Sequence, residues 1–525
     1  MVDVLKNIRD FFANRLDKQY LFYFVLFVLF LPYYASFILM KESGIMVLVA
    51  NVFVIYILSL FLTLFPKFLR CILQFIVGAY YFIFSLLSFY GVYFLKNRDA
   101  LYVLSLILQS NKNEASQFIS MYVDCKAVIF TIVLFLFEFA LIAIVLLCRR
   151  KFVPRLKRQS KLLFVVMNVI CCLAFVVPQI YFSTPVFSPF EKSHDNFISR
   201  DIKEFQINPC IEKHVEMRPQ YVVLVVGESF SKSHSSLYGY DMTTNPKLKI
   251  LQDTGKLFVF QNVTCSHGAT GMSFKDIMST YSSRNPDEDW TKCITIPTVM
   301  KYEGYYTIWV SNQQCSGLWD AIPEQYSKLC DKREFTKPGI NHDGMLLPII
   351  EKHIINTKCM KRVFMVVHLM GSHEEFDLRY PDDFEVFQPS DYLDYPANQR
   401  EQRAKYDNAI LYNDYVVNKI IDLFSNENTI LFYYPDHALD VYESDPSYVG
   451  HSTADNKSVE VCKQIPFVIY VSDTYKQRYP ENVQRIYSSV NNTFCTQDFI
   501  YSLMDITGYK FSANNNVCKY SLFYE

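Results

Sequence analysis

The sequence predicts an N-terminal bundle of five transmembrane helices followed by a C-terminal α/β domain with a mostly parallel central sheet. Three observations carry this. The first third of the 525-residue chain holds five apolar runs long enough to cross a bilayer. From about residue 220 onward, short apolar runs alternate with longer amphipathic segments, the pattern of strands and helices in turn. Several of those strand-like runs also stop abruptly at Glu, Asp, His or Ser, as strands do at the carboxyl edge where α/β sheets bind ligands.

The five runs cover residues 20–40, 44–65, 71–95, 127–148 and 162–182, and together they define a membrane domain of residues 1–183. Basic residues set its orientation. Lys6, Arg9, Arg15 and Lys18 precede the first run, Lys67 and Arg70 follow the second, and a cluster from Arg149 to Lys161 follows the fourth. By the positive-inside rule the N-terminus is cytoplasmic, and five crossings place everything after residue 183 on the far side. Lys96, Arg98, Lys112 and Lys126, in the loop after the third run, fit this scheme less cleanly; Leu101, Val103, Leu104 and Leu108 suit a helix lying at the interface. Glu138 stands alone inside the fourth run and is expected to face the bundle or a polar cavity, because a carboxylate facing lipid is costly.

The net charge of −1 gives no argument for a nucleic-acid partner, and none is expected. Of 14 cysteines, nine lie beyond the membrane runs. An odd number leaves at least one unpaired, and Cys265 with Cys293, Cys315 with Cys330, and Cys495 with Cys518 are the first pairings to test. Buried free thiols are the alternative.

Residues 184–219 are polar and interrupted by Pro185, Pro189 and Pro209, and they read as a linker. The domain of residues 220–525 opens with the run Tyr221 to Gly227, apolar throughout, as expected of a strand buried on both faces. Further strands are expected at 257–263, 305–310, 363–369, 429–434 and 466–471. Helices are expected near 273–280, 400–424 and 496–506.

The residues after these strands suggest chemistry. Glu228 ends the first. The second leads into Cys265, Ser266, His267, Gly268, Ala269 and Thr270, so Thr270 carries a hydroxyl on a glycine-flanked turn ahead of a helix. The strand at 363–369 leads to His373, and that at 429–434 to Asp436 and His437, with His451 shortly after. Carboxylate, imidazole and an alkoxide-capable hydroxyl at one sheet edge are a ligand set for zinc or manganese. Each residue also has an ordinary role open to it: Glu228 a solvated strand end, Thr270 an N-cap, His451 an exposed loop residue. His267 and His368 are expected to be a loop residue and a satisfied strand residue.

This combination resembles the membrane-bound phosphoethanolamine transferases of the alkaline-phosphatase and sulfatase superfamily, the group that includes the mobilised colistin-resistance enzymes. The resemblance rests on Val225 to Ser229, on Ser236 to Tyr240 with Thr243 to Pro246, and on Phe260 to Val263 leading to Thr270. It continues through Asn341 to Leu347, His368 to His373, Tyr406 to Tyr412, and Asp436 and His437 with His451. The five runs ahead of the domain extend it over nearly the whole chain.

The resemblance implies a sulfatase-like catalytic domain in the periplasm, anchored in the bacterial inner membrane. Thr270 would be the nucleophile and, with Glu228, Asp436 and His437, a ligand of Zn2+, with Mn2+ as an alternative. His373 and His451 would bind substrate phosphate or a second metal. Phosphatidylethanolamine would donate phosphoethanolamine to Thr270, and a lipopolysaccharide (lipid A or core) or another surface glycan would accept it, the protein acting as a monomer. Two departures stand out. Ala438, Leu439 and Asp440 replace the Gly-Glu that usually follows the family's Asp-His pair, and only Lys232 is available as the basic residue common after the strand-end Glu.

The alternative within the superfamily is a phosphoglycerol transferase of the lipoteichoic-acid-synthase type. Sulfate-ester hydrolysis is disfavoured, because the stretch from Cys265 lacks the Pro and Arg that surround a sulfatase's modified nucleophile. A non-catalytic membrane binding protein with a sulfatase-like domain is the alternative from another class.

Overall fold

The computed structural model describes residues 20–39, 65–95, 131–141, 211–213, 218–285, 288–313, 322–337, 341–451, 456–511 and 520–524, with isolated positions between them. They fall into two compact units, the first built from residues 1–107 and 118–198 and the second from 108–117 and 199–525.

In the first unit, the helix Lys67–Leu95 covers the third apolar run and is, among the described residues, the one long and apolar enough to cross a membrane. Phe68, Phe75, Ile76 and Ile83 are exposed on it, whereas Tyr81, Phe84 and Phe89 are buried. A helix apolar on both its buried and its open face suits a lipid surround. The first run forms two helices, Tyr20–Leu29 and Leu31–Leu39, separated at Phe30. Pro32 is the reason for the break: it has no N–H for the ladder, and its ring crowds the turn before it. Of the fourth run, Thr131–Leu141 is helical, and Glu138 is its one buried side chain among the described residues, as expected of a carboxylate that avoids lipid. The fifth run, residues 162–182, lies outside the described residues.

The second unit is built on a seven-stranded sheet. In chain order its strands are β1 (Tyr221–Gly227), β2 (Leu257–Val259), β3 (Tyr306–Ser311), β4 (Lys332–Phe335), β5 (Val363–His368), β6 (Thr429–Pro435) and β7 (Val468–Val471). They lie side by side in the order β2, β7, β6, β1, β5, β3, β4. The five strands from β6 to β4 are parallel, and β7 runs antiparallel to both β6 and β2. Side chains alternate between two cores: Val222, Leu224 and Val226 face one with Phe274, Trp309 and Phe432, and Val223 and Val225 face the other with Tyr406, Ile410 and Ile421. Helix α1 (Thr270–Ile277) contributes to the first core and helix α2 (Ala397–Phe424) to the second. The continuous apolar runs of β1, β5 and β6 are thus explained by burial on both faces.

Two expected elements differ. The run at 257–263 divides into β2 and a separate short strand, Asn262–Thr264, which pairs in parallel with Thr493–Cys495. Within the expected linker, Ile211–Lys213 is a strand paired antiparallel with Tyr509–Phe511. Cys265, Cys293, Cys330 and Cys495 are free thiols. Cys265 and Cys293 are not bridged: the Cys265 sulfur lies 3.1 Å from the His267 carbonyl oxygen and 3.4 Å from that of Cys462, and the Cys293 sulfur 3.7 Å from the Asp289 carbonyl oxygen. Cys315 and Cys518 lie outside the described residues.

Candidate metal centre

Strand register brings the site together. Gly227 at the end of β1 pairs with Pro435 at the end of β6, and the Asp436 amide donates to the Gly227 carbonyl at 3.1 Å, so Glu228 and Asp436 emerge side by side. On the other flank of β1, β5 ends opposite Val226 and turns at Gly371. This turn needs glycine: φ is +55°, and a Cβ there would lie 2.6 Å from the Glu228 carbonyl oxygen.

Glu228, Asp436 and His437 are each at most 1 % exposed, and they offer ligand atoms that all lie within 4.8 Å of one another. His437 Nδ1–H donates to the Ala438 carbonyl at 2.9 Å. That bond leaves Nε2 to face the cluster, 3.0 Å from Glu228 Oε1 and 3.6 Å from Asp436 Oδ2. Thr270 is the first residue of α1, and the N-cap position belongs to Ala269. The Thr270 hydroxyl is therefore not a cap: it donates to Glu228 Oε2 at 3.1 Å and lies 3.3 Å from His437 Nε2.

Electrostatics follow from packing two carboxylates together. Burial opposes ionisation of Glu228, yet the His437 charge beside it holds its carboxyl well below the usual range. Burial, reinforced by the Glu228 charge, pushes Asp436 up to about 8. Burial opposes protonation of His437 as well, but Asp436 and Glu228 lift it to about 9. Asp436 Oδ2 is buried without a hydrogen-bond partner, an expensive state for a carboxylate oxygen. Two carboxylates, one imidazole and one hydroxyl with an orphaned oxygen among them fit a divalent cation.

The other expected residues lie close by. The His451 ring is 4.5 Å from that of His437, and its Nδ1–H donates to the Gly268 carbonyl at 2.9 Å, on the turn that leads to Thr270. Burial lowers both His373 and His451 to about 4, so each is a neutral imidazole, and His373 Nδ1 is buried without a hydrogen-bond partner. His368 ends β5 as a buried strand residue, with its ring against Phe274 and Nδ1 3.3 Å from Ser311 Oγ, but it is not the satisfied residue expected, because its Nε2 is buried without a hydrogen-bond partner. Lys232 does not reach the cluster, because its ammonium donates to the Gln261 carbonyl at 2.6 Å.

Two further residues that touch the cluster or its turns were not singled out from the sequence, although Asp343 falls in the stretch Asn341 to Leu347. Gln313 Nε2 donates to Glu228 Oε2 and to the Leu369 carbonyl, 3.0 Å each. It follows β3, so the same strand-end signal that picked out Glu228 and His373 applies to it. Asp343 receives the Met370 and Gly371 amides at 2.8 Å each and the Asn312 amide at 2.8 Å, which holds the turn leading to His373.

The family described as Sulfatase matches residues 220–509, more than half of the chain. The chain belongs to the sulfatase family. The resemblance to phosphoethanolamine transferases is also borne out for this sulfatase-family chain. Phosphoethanolamine transferase EptC of Escherichia coli (strain K12) is 27% identical over 489 residues, covering 85% of this chain and 81% of that protein. Phosphoethanolamine transferase EptA of Helicobacter pylori is 27% identical over 292 residues, 52% of this chain and 53% of that one. Among solved structures, the C-terminal periplasmic domain of E. coli EptC in complex with zinc aligns with a TM-score of 0.54 at 27% identity, over 60% of this chain and 88% of that one. The integral membrane protein EptA of Neisseria meningitidis aligns with a TM-score of 0.59 at 18% identity, over 94% and 96%, and shares the fold.

Proposed function

We propose that this chain transfers phosphoethanolamine from phosphatidylethanolamine, through a covalent phospho-Thr270 intermediate, to lipid A, the lipopolysaccharide core or another surface glycan. The observation that carries the reading is the Thr270 hydroxyl, shared between Glu228 and His437 rather than spent on capping its helix. The named activity of the EptC and EptA relatives supports the group transferred. The membrane runs support an inner-membrane protein with a cytoplasmic N-terminus and a periplasmic catalytic domain, positioned to meet lipid substrates.

Glu228, Asp436, His437 and Thr270 would hold zinc, or manganese in its place. Bound there, the cation would lower the pKa of the Thr270 hydroxyl and offset charge on the phosphoryl oxygens. Thr270 Oγ1 attacks the phosphorus of the donor, the bond to the glycerol oxygen breaks, and diacylglycerol leaves with a proton. His373 and His451 bracket the same space and bind the phosphoryl oxygens or a second metal. Phosphoethanolamine remains on Thr270 until an acceptor hydroxyl or phosphate oxygen attacks the same phosphorus, which returns Thr270 to its starting state.

Intact-mass spectrometry of the full chain in detergent, incubated with zinc and phosphatidylethanolamine, tests this. A phosphoethanolamine adduct on the wild-type chain and none on Thr270→Ala is the expected result. An adduct formed only from phosphatidylglycerol moves the chain to phosphoglycerol transfer, and no adduct from either lipid overturns covalent catalysis.

A further inference from the structure

We propose that Tyr406 is a positioning residue for the metal centre, acting on Glu228 through the backbone turn at Ser229. The inference rests on Glu228 being a metal ligand.

Ser229 follows Glu228 directly and has φ +58°, a left-handed conformation that side chains other than glycine rarely adopt. The serine is nonetheless useful there, since its hydroxyl donates to Glu228 Oε1 at 2.8 Å. A turn that prefers to relax must be held from outside. Tyr406 does this from α2: its hydroxyl donates to the Ser229 carbonyl at 2.6 Å and accepts the Ser231 amide at 2.8 Å, bridging the turn. Ser372 adds a second donor to the Ser229 carbonyl at 3.1 Å.

Tyr406 is itself anchored. Its ring is buried and meets the His234 and Phe376 rings edge-on, each at 4.9 Å. The adjacent Asp407 accepts from His234 Nδ1 at 2.6 Å, while His234 Nε2 lies 3.0 Å from Glu443 Oε1. The Glu443 amide in turn donates to Asp440 at 2.9 Å, in the segment that follows His437. Two neighbouring residues of α2 thus reach both backbone segments that deliver the expected ligands. The same contacts place Asp440 and Glu443 beyond His437, where the chain departs from the family's Gly-Glu.

The test measures zinc affinity of the full chain in detergent by competition with a chromophoric chelator, for wild type, Tyr406→Phe, Ser229→Gly and the double variant. Tyr406→Phe keeps the buried ring and removes only the hydroxyl. It is expected to weaken zinc binding by about ten- to a hundredfold, the usual effect of losing a group that orients a ligand. In the Ser229→Gly background the same change should cost no more than about threefold, because glycine adopts this φ without restraint. A purely structural tyrosine would lower the melting temperature of both forms and leave zinc affinity alone. Unchanged affinity in Tyr406→Phe overturns the assignment, as does an equal loss in both backgrounds. A wild-type chain that binds no zinc overturns the metal reading itself and the assignment with it.

Discussion

The Thr270 hydroxyl and the Glu228 carboxylate meet at 3.1 Å across 42 residues of sequence. One stands at the start of a helix and the other at the end of the central strand, and only the parallel sheet with its crossover connections brings them together.

Removing that hydroxyl separates chemistry from folding. Thr270→Ala is expected to lower transfer by on the order of 10³-fold or more, as loss of a nucleophile does, while leaving the melting temperature close to wild type. Thr270→Ser, which keeps the hydroxyl, should retain part of the activity. Product formation and thermal melting measured on the same preparations check both statements.

Chelation should abolish transfer and zinc should restore it. Asp436→Asn is expected to remain folded yet bind zinc at least about tenfold more weakly, because an amide cannot ionise to offer the cation an anionic oxygen at the buried Oδ2 position. An Asp436→Asn chain with wild-type zinc affinity would remove Asp436 from the ligand set.

Gly371→Ala tests how closely the two turns pack. The added methyl would meet the Glu228 carbonyl oxygen at 2.6 Å and its amide nitrogen at 2.7 Å, at a left-handed φ. A loss of more than about 1 kcal/mol in stability is expected from the backbone conformation alone. Zinc affinity should fall with it, since Glu228 must shift, and thermal melting with and without zinc reads both effects.

Stability should decline at alkaline pH through His234. Burial opposes its protonation, but Asp407 and Glu443 raise it to about 9 from an ordinary 6.5. Arg403 Nη1, 3.4 Å from Nε2, and the rings of Tyr240 and Tyr406 complete its surroundings. A raised value means the stabilisation is complete below about pH 6.5 and is lost as pH rises through about 9, amounting to about 3 kcal/mol at ~1.4 kcal/mol per unit. Melting temperatures at pH 6 and pH 9.5 should differ for wild type and converge for His234→Asn.

The strands of the second unit were legible because Tyr221–Gly227, Val363–His368 and Thr429–Pro435 are buried on both faces, and uninterrupted apolar runs leave little ambiguity. Glu228, Thr270, Asp436 and His437 could be named because each stands next to a strand or helix end. Gln313 carries the same strand-end signal after β3 and was passed over, because a lone amide there suggests no chemistry until its contact with Glu228, 85 residues away, is seen. Tyr406 could not be assigned in that way. Tyr406 lies within a helix, where an aromatic residue reads as core, and its role depends on a hydroxyl reaching 177 residues back to Ser229. The short strand at 211–213 was hidden because three residues carry no periodicity, and its partner lies near the other end of the chain.

That last pairing has a mechanical consequence. Ile211, Glu212 and Lys213 are zipped to Phe511, Lys510 and Tyr509, so the segment ahead of Tyr221 is fastened by the last strand among the described residues. Tension applied to the chain at Ile211 meets this three-rung ladder before it reaches Tyr221 and the strand that ends at Glu228. A pull on the chain at Ile211 would open this peripheral zipper and leave Glu228, Asp436 and His437 in register. Trimming the chain before Tyr509 would transmit the same pull directly to the central strand.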